Sequence, residues 1–211
     1  MRYYPIFLAI SGKKCVVVGG GDVAARKVKR LFNCGAKVLV VSPELKPELI
    51  ALKDKNAIVH VASVYNVQYI ENAVLIIGAT DDDKINAMIS DDARRLGIPV
   101  NIVDDPQKCD FILPSVVERG DLTIACGTGG NSPALARRLR EELEAAYGEE
   151  YGILLKLLGQ LREKMEKNAS VGKVWFDQLM AAGLLEAIRQ KDGDKVKKII
   201  HDITGEEVRI D

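Results

Sequence analysis

What this sequence has little of narrows its function before any motif is found. Positive and negative side chains cancel, 30 Lys and Arg against 30 Asp and Glu. The chain therefore lacks the basic excess that non-specific nucleic-acid binding requires. No apolar run approaches the roughly 20 residues that span a bilayer. The apolar part of MRYYPIFLAISGKK is too short and wrongly flanked for a secretory signal, so the cytoplasm is the expected location. Histidine is limited to His60, inside a predicted strand, and His201, near the tail; both are read as structural. Cys15, Cys34, Cys109 and Cys126 show neither CxxC spacing nor a nearby histidine. They are expected to be thiols in a reducing compartment, and no resident metal is expected.

What is present is alternation. Between residues 13 and 104, five apolar runs of strand length, 14–19, 37–42, 57–62, 73–80 and 98–103, are separated by helix-length stretches. That pattern predicts an α/β fold, a Rossmann-like parallel sheet covered on both faces. Ala24, Val28, Leu31 and Phe32 place an apolar stripe on a helix ending near Gly35. Ile85, Met88, Ile89 and Leu96 do the same on a helix over 83–96 that stops at Gly97. After Pro106 the character changes. Residues 110–130 read as two strands around the turn ERGD, then a glycine loop. A helix follows, with Ser132 at its cap and Pro133 in its first turn. The expected domains are 1–112 for the nucleotide, 113–147 as an α+β dimerisation region, and 148–211 as a small helical domain.

The stretch CVVVGGGDVAARKV, residues 15–28, breaks from a strand into three glycines. Glycine loses more freedom on folding than any other residue, and a plain turn needs only one. The run fits G-x-G-x-x-A as Gly19, Gly21 and Ala24 between a strand and a helix. Gly19 permits the tight turn, Gly21 lets the backbone approach a pyrophosphate, and Ala24 lets helix and strand pack closely. The first helical turn, Asp22, Val23 and Ala24, offers free N–H groups to phosphate. About 20 residues on, where an acid usually binds the ribose, stand Ser42, Pro43 and Glu44. No arginine in that loop serves a 2′-phosphate, which favours NAD over NADP. If the first strand lies beside the fourth, Thr80, Asp81, Asp82 and Asp104 gather at the switch point where ligands bind. Asp81 to Asp83 equally suit a helix cap. Asp104 directly ends a buried strand and reads as a site residue, whereas Asp105 reads as the turn residue before proline.

The blocks YPIFLAISGKKCVVVGGGDVAARKV, GATDDDKIN, NIVDDP and FILPSVVERGDLTIACGTGGNSPALARRLREELE resemble, in order, motifs of the precorrin-2 dehydrogenase and sirohydrochlorin ferrochelatase family, the N-terminal module of siroheme synthases. The resemblance covers about residues 1–150. It implies an NAD-binding domain, a central region that pairs two chains as a homodimer, and a helical tail. It implies oxidation of precorrin-2 to sirohydrochlorin by NAD and, in bifunctional members, Fe²⁺ insertion as a second step. Precorrin-2 would then be supplied by another protein. The family's key carboxylate follows the fifth strand, at Asp104 here.

The chemistry agrees with that placement. Dehydrogenation of a tetrapyrrole removes a hydride, which the nicotinamide takes, and a proton, which needs a base. Fe²⁺ insertion displaces two N–H protons, so one carboxylate serves both steps. The substrate's eight carboxylates call for cations and free N–H groups. Candidate contacts are Asn101, Ser115, Thr128, Gly129, Gly130, Ser132 and Arg137. Arg137, Arg138 and Arg140 each precede a glutamate by four residues. They form either a surface ladder or, because the order opposes the helix dipole, a ligand or dimer contact. The rival reading is a non-catalytic nucleotide-sensing module, which leaves residues after 110 without a role.

Overall fold

The computed structural model describes residues 3–164 and 169–210. They divide into two compact units, one ending at Leu113 and the other beginning at Pro114.

In the first unit β1 (Lys14–Val18), β2 (Lys37–Val41), β3 (Val59–Val61), β4 (Leu75–Gly78) and β5 (Val100–Ile102) form one sheet. Its order is β3-β2-β1-β4-β5, and every pairing is parallel. The first strand does lie beside the fourth, with Val16 opposite both Leu39 and Ile76. Side chains alternate across a strand, so β1 feeds two cores. Cys15 and Val17 pack with Ala24, Ala25, Val28 and Leu31 of α1 (Asp22–Asn33). Val16 and Val18 pack on the other face with Ile89 and Ala93 of α3 (Asp83–Arg95). Each fully buried Val, Leu or Ile among them contributes about 1.5–3 kcal/mol. A short helix α2 (Pro47–Asp54) links β2 to β3. Gly35, at φ +76°, ends α1 by donating to Phe32 O at 2.8 Å, the left-handed stop that glycine allows.

Two stripes were drawn too wide. Phe32, Met88 and Leu96 are substantially exposed. On α3 the inward face is Asn86, Ile89, Ser90 and Ala93. Two polar residues take places that apolar periodicity assigned to Met88 and Leu96. They are tolerated because Asn86 bonds Thr80 and Ser90 Oγ bonds Lys108 O, and a buried polar group with a partner escapes the desolvation penalty.

The second unit starts with a hairpin, β6 (Ser115–Arg119) and β7 (Leu122–Cys126), turning at Gly120 with φ +56°. Helices α4 (Pro133–Ala146), α5 (Glu150–Lys164), α6 (Ala169–Ala181), α7 (Leu184–Arg189) and α8 (Gly193–Thr204) follow. The core of α5–α8 includes Leu154, Leu157, Leu161, Leu179, Leu184, Ile188, Val196 and Ile200. The expected break at residue 148 does not divide this unit. Gly152 of α5 lies against the hairpin turn, where a Cβ would stand 2.8 Å from Arg119 O, and Arg119 Nε pairs with Glu149 at 3.3 Å. The hairpin, α4 and the helical tail therefore pack as one body. Among the described residues no helix is long and apolar enough to cross a membrane.

Candidate functional site

The carboxyl ends of β1, β2 and β4 open onto a cleft of about 620 Å³. Its wall includes Gly19, Gly20, Gly21, Asp22 and Val23, then Ser42, Pro43, Glu44 and Lys46, then Thr80 and Asp81. Most of the residues expected to bind the cofactor are thus brought together. Ala24 is fully buried under the loop, as close helix–strand packing requires.

The three glycines have three different reasons to be glycine. Gly19 sits at φ +122°, and a Cβ there would run into the carbonyl of Ala79 at the end of β4. At Gly20 a Cβ would strike the Glu44 carbonyl and Ser42 Oγ, so this residue locks the β1 loop onto the β2 loop. Lys46 N–H donates to Gly20 O at 3.0 Å across the same junction. Gly21 is different, with nothing within 4 Å of its missing side chain. That space faces the start of α1. The first intrahelical bond there is Ala25 N–H to Gly21 O, 2.9 Å, and no side chain caps the end. The N–H groups of Asp22, Val23 and Ala24 are therefore available to an anion. A dinucleotide pyrophosphate fits this arrangement.

Other wall residues are held from behind. The His60 ring lies 2.9 Å from Ser42 O, the structural role expected of it. Asp22 pairs with Lys46 at 3.6 Å. Thr80 Oγ1 donates to Asn86 Oδ1 at 2.8 Å, and Asp82 caps α3 by accepting from Lys84 and Ile85 N–H. Of the two readings of this acidic run, the cap holds for Asp82, while Asp81 faces the cleft. Tyr65, which the sequence did not single out, also lines the wall. Its hydroxyl donates to Asp92 at 3.0 Å, and burial, then that bond, pushes its ionisation well above the usual range.

Asp104 follows β5, is exposed, and adopts φ +61°. Few residues other than glycine take this left-handed conformation, Asp and Asn among them. It does not belong to the cleft wall itself. Its neighbours fix the turn. Cys109 Sγ accepts Ile102 N–H at 3.2 Å and lies 3.1 Å from the carbonyls of Ile102 and Asp105. Asp105 pairs with Lys108 at 2.6 Å and accepts Gln107 N–H, the turn role expected of it. Lys27 of α1 lies within electrostatic reach of Asp104. Burial, then repulsion from Arg30 and Arg26, lowers the Lys27 pKa, and the Asp104 carboxylate opposes that shift.

The candidate substrate residues fare less evenly. Asn101 is buried, and its amide donates to Phe111 O at 2.9 Å, which ties β5 to the outgoing chain. Thr128 Oγ1 donates to Ser132 O and accepts Ser132 N–H. Ser132 Oγ caps α4 by accepting Leu135 N–H. Both hydroxyls bond within the loop that carries Gly129 and Gly130, each at positive φ, and Asn131 adds to its order by donating its backbone N–H and side-chain amide to Thr128 O, each at 3.1 Å. Ser115 sits half-buried at the hairpin end, opposite Cys126. Arg137 pairs with Glu141 at 2.9 Å and Arg138 with Glu142 at 3.0 Å, while Arg140 pairs with Glu144. The surface ladder forms despite its unfavourable direction.

A parallel sheet ordered 3-2-1-4-5, a three-glycine turn and an open helix N-terminus together define a dinucleotide-binding protein of Rossmann-like fold. Residues 6–115 match the family model described as "Putative NAD(P)-binding", and residues 119–146 match "Sirohaem biosynthesis protein central". The first match spans more than half of the chain, which therefore belongs to this NAD(P)-binding family. The siroheme synthase of Methylobacillus flagellatus is 43% identical over 173 residues, 82% of this chain and 37% of that protein. Siroheme synthase 1 of Aeromonas salmonicida is 36% identical over 211 residues, 98% of this chain and 45% of the relative. The chain thus spans less than half the length of these relatives. A solved structure described as "SirC, precorrin-2 dehydrogenase" has the same fold, with a TM-score of 0.72, 24% identity, and coverage of 97% of this chain and 100% of that one.

Proposed function

We propose that this protein oxidises precorrin-2 to sirohydrochlorin with NAD in siroheme formation, as a homodimer in the cytoplasm. One observation carries the reading: the open space at Gly21, beside uncapped helix N–H groups, lies at the same carboxyl edge of the sheet as an exposed Asp104 in the left-handed conformation. A nucleotide sensor needs the first feature and has no use for the second. The relatives named above are siroheme synthases, and the fold is that of a precorrin-2 dehydrogenase, which supports the same substrate class.

In this reading Gly21 and the first turn of α1 hold the pyrophosphate, and the Glu44 side of the cleft holds the ribose. A carboxylate at Glu44, with no arginine in its loop, favours NAD over the 2′-phosphorylated form. When bound, NAD supplies the hydride acceptor. Asp104 takes up, at a carboxylate oxygen, the proton that leaves the ring as the hydride departs. The same group serves to receive ring N–H protons if Fe²⁺ is the second substrate. Precorrin-2 and NAD mixed anaerobically with the protein should give the visible absorbance of sirohydrochlorin, and Fe²⁺ added afterwards reads chelation. Absence of any spectral change in the first step overturns the reading in favour of a nucleotide-sensing module.

A further inference from the structure

We propose that the α1 flank formed by Arg26, Lys27 and Arg30, beside Asp104, is a binding site for clustered carboxylates. Resting on the function proposed above, it holds the acetate and propionate arms of the tetrapyrrole.

Helix geometry separates these cations from the rest of α1. At 100° per residue, Ala24, Ala25, Val28 and Leu31 face the sheet, and all four are buried. Arg26 and Arg30 stand one turn apart on the outer surface, and Lys27 sits at the border, half-buried. Lys29 projects from the opposite border. Among the described residues no carboxylate lies within ion-pair distance of Arg26, Lys27 or Arg30. On other helices neighbouring arginines do have carboxylate partners, as with Arg94 and Asp110, Arg95 and Asp92, or Arg138 and Glu142. Like charges at i and i+4 destabilise a helix, and Lys27 feels both arginines. Three crowded cations left without partners are relieved by an anion from outside.

The position points to the substrate and away from the cofactor. None of the three lines the dinucleotide cleft, and they lie beyond the first-turn N–H groups that serve phosphate. On the α1 side of the sheet, Val103 packs into the core with Phe111 and Leu113. That packing brings the following residue, Asp104, within electrostatic reach of Lys27. Cations that grip peripheral carboxylates next to a carboxylate that needs a ring proton form one continuous surface for a polycarboxylate macrocycle. A single acid ligand needs only one such cation.

The test uses the whole protein and uroporphyrin I, a stable tetrapyrrole with eight carboxylates, titrated by its fluorescence. Arg26→Gln/Arg30→Gln should weaken binding at least tenfold and flatten its salt dependence, as should Lys27→Met to a lesser degree. NAD affinity, measured by calorimetry on the same samples, should stay within twofold, which also shows that the variants fold. Lys29→Gln should bind uroporphyrin like the parent. The proposal is overturned if the parent does not bind uroporphyrin, if the double variant binds it within twofold of the parent, or if Lys29→Gln loses as much. A parent that never oxidises precorrin-2, yet binds uroporphyrin through these arginines, sinks the proposed reaction and leaves the carboxylate site standing.

Discussion

Cys109 Sγ lies 3.1 Å from the carbonyl oxygen of Asp105, and this contact closes the turn from which Asp104 projects. The same sulfur lies 3.1 Å from Ile102 O and accepts Ile102 N–H at 3.2 Å, so one side chain grips the backbone on both sides of Asp104. Burial raises the Cys109 pKa, keeping it a thiol able to donate. Cys109→Ala removes these bonds at a partly buried site, each worth about 1 kcal/mol. We expect the melting temperature to fall by about 2–6 °C and single-turnover oxidation to slow, with NAD affinity retained. Cys109→Ser should restore part of both. An alanine variant with parental rate and stability would show that the turn holds itself.

Asp104 and Asp105 are adjacent and should behave differently. Asp104→Asn keeps a residue that tolerates φ +61° and removes only the proton acceptor. The oxidation rate should drop by about 10²–10⁴ with little change in thermal stability. Asp105→Ala removes the Lys108 ion pair and the cap on Gln107 N–H and should cost stability while sparing rate. The hydrogen bond from Lys108 holds the Asp105 carboxyl below its ordinary value of 3.8. A depressed folded-state pKa gives stability that is present above the unfolded value and lost as pH falls through the folded one. The stability gap between the parent and Asp105→Ala should therefore shrink below about pH 4, as thermal melts across pH 2–7 would show.

The sheet was legible in the sequence because its central strands β1 and β4 are buried on both faces, which leaves uninterrupted apolar runs such as CVVV and LIIG. Gly19, Gly21 and Ala24 were legible because phosphate binding fixes residue types at fixed spacing. Gly20 was hidden. It occupies a variable position of the motif, and its constraint comes from the Glu44 carbonyl on a different loop. Tyr65, Cys109 and the Lys27 flank were hidden for the same reason, since each depends on contacts between distant segments. Thr128 and Ser132 share internal bonds that the sequence did not show. Their hydroxyls look available in a glycine-rich loop, yet Ser and Thr hydroxyls readily bond nearby backbone, and here they help hold the loop's shape.

The glycine turn yields a paired prediction. Gly21→Asp places a carboxylate in open space where a pyrophosphate must sit, so NAD binding should be lost with the melting temperature nearly unchanged. Gly20→Ala forces a methyl into backbone and should destabilise the fold by about 1–3 kcal/mol, the usual cost of overpacking, with NAD weakened only through movement of the β2 loop. Calorimetric titration and thermal melts on both variants separate the two cases. An NAD-competent Gly21→Asp would mean that the cleft binds something else.

The second unit exposes what a paired chain would cover. Its sheet has two strands only, each with an open edge, and such edges invite pairing with another chain. On α4, Leu135 and Leu139 are 49% and 37% exposed, one helical turn apart. Two-fold pairing is the commonest closed solution for such a surface. We expect light scattering at micromolar concentration to give twice the chain mass. Leu135→Glu/Leu139→Glu places two charges on that face and should yield monomers that still bind NAD, because the cleft lies wholly within the first unit. If the parent is a monomer, or if the double variant stays dimeric, these leucines do not form the pairing surface.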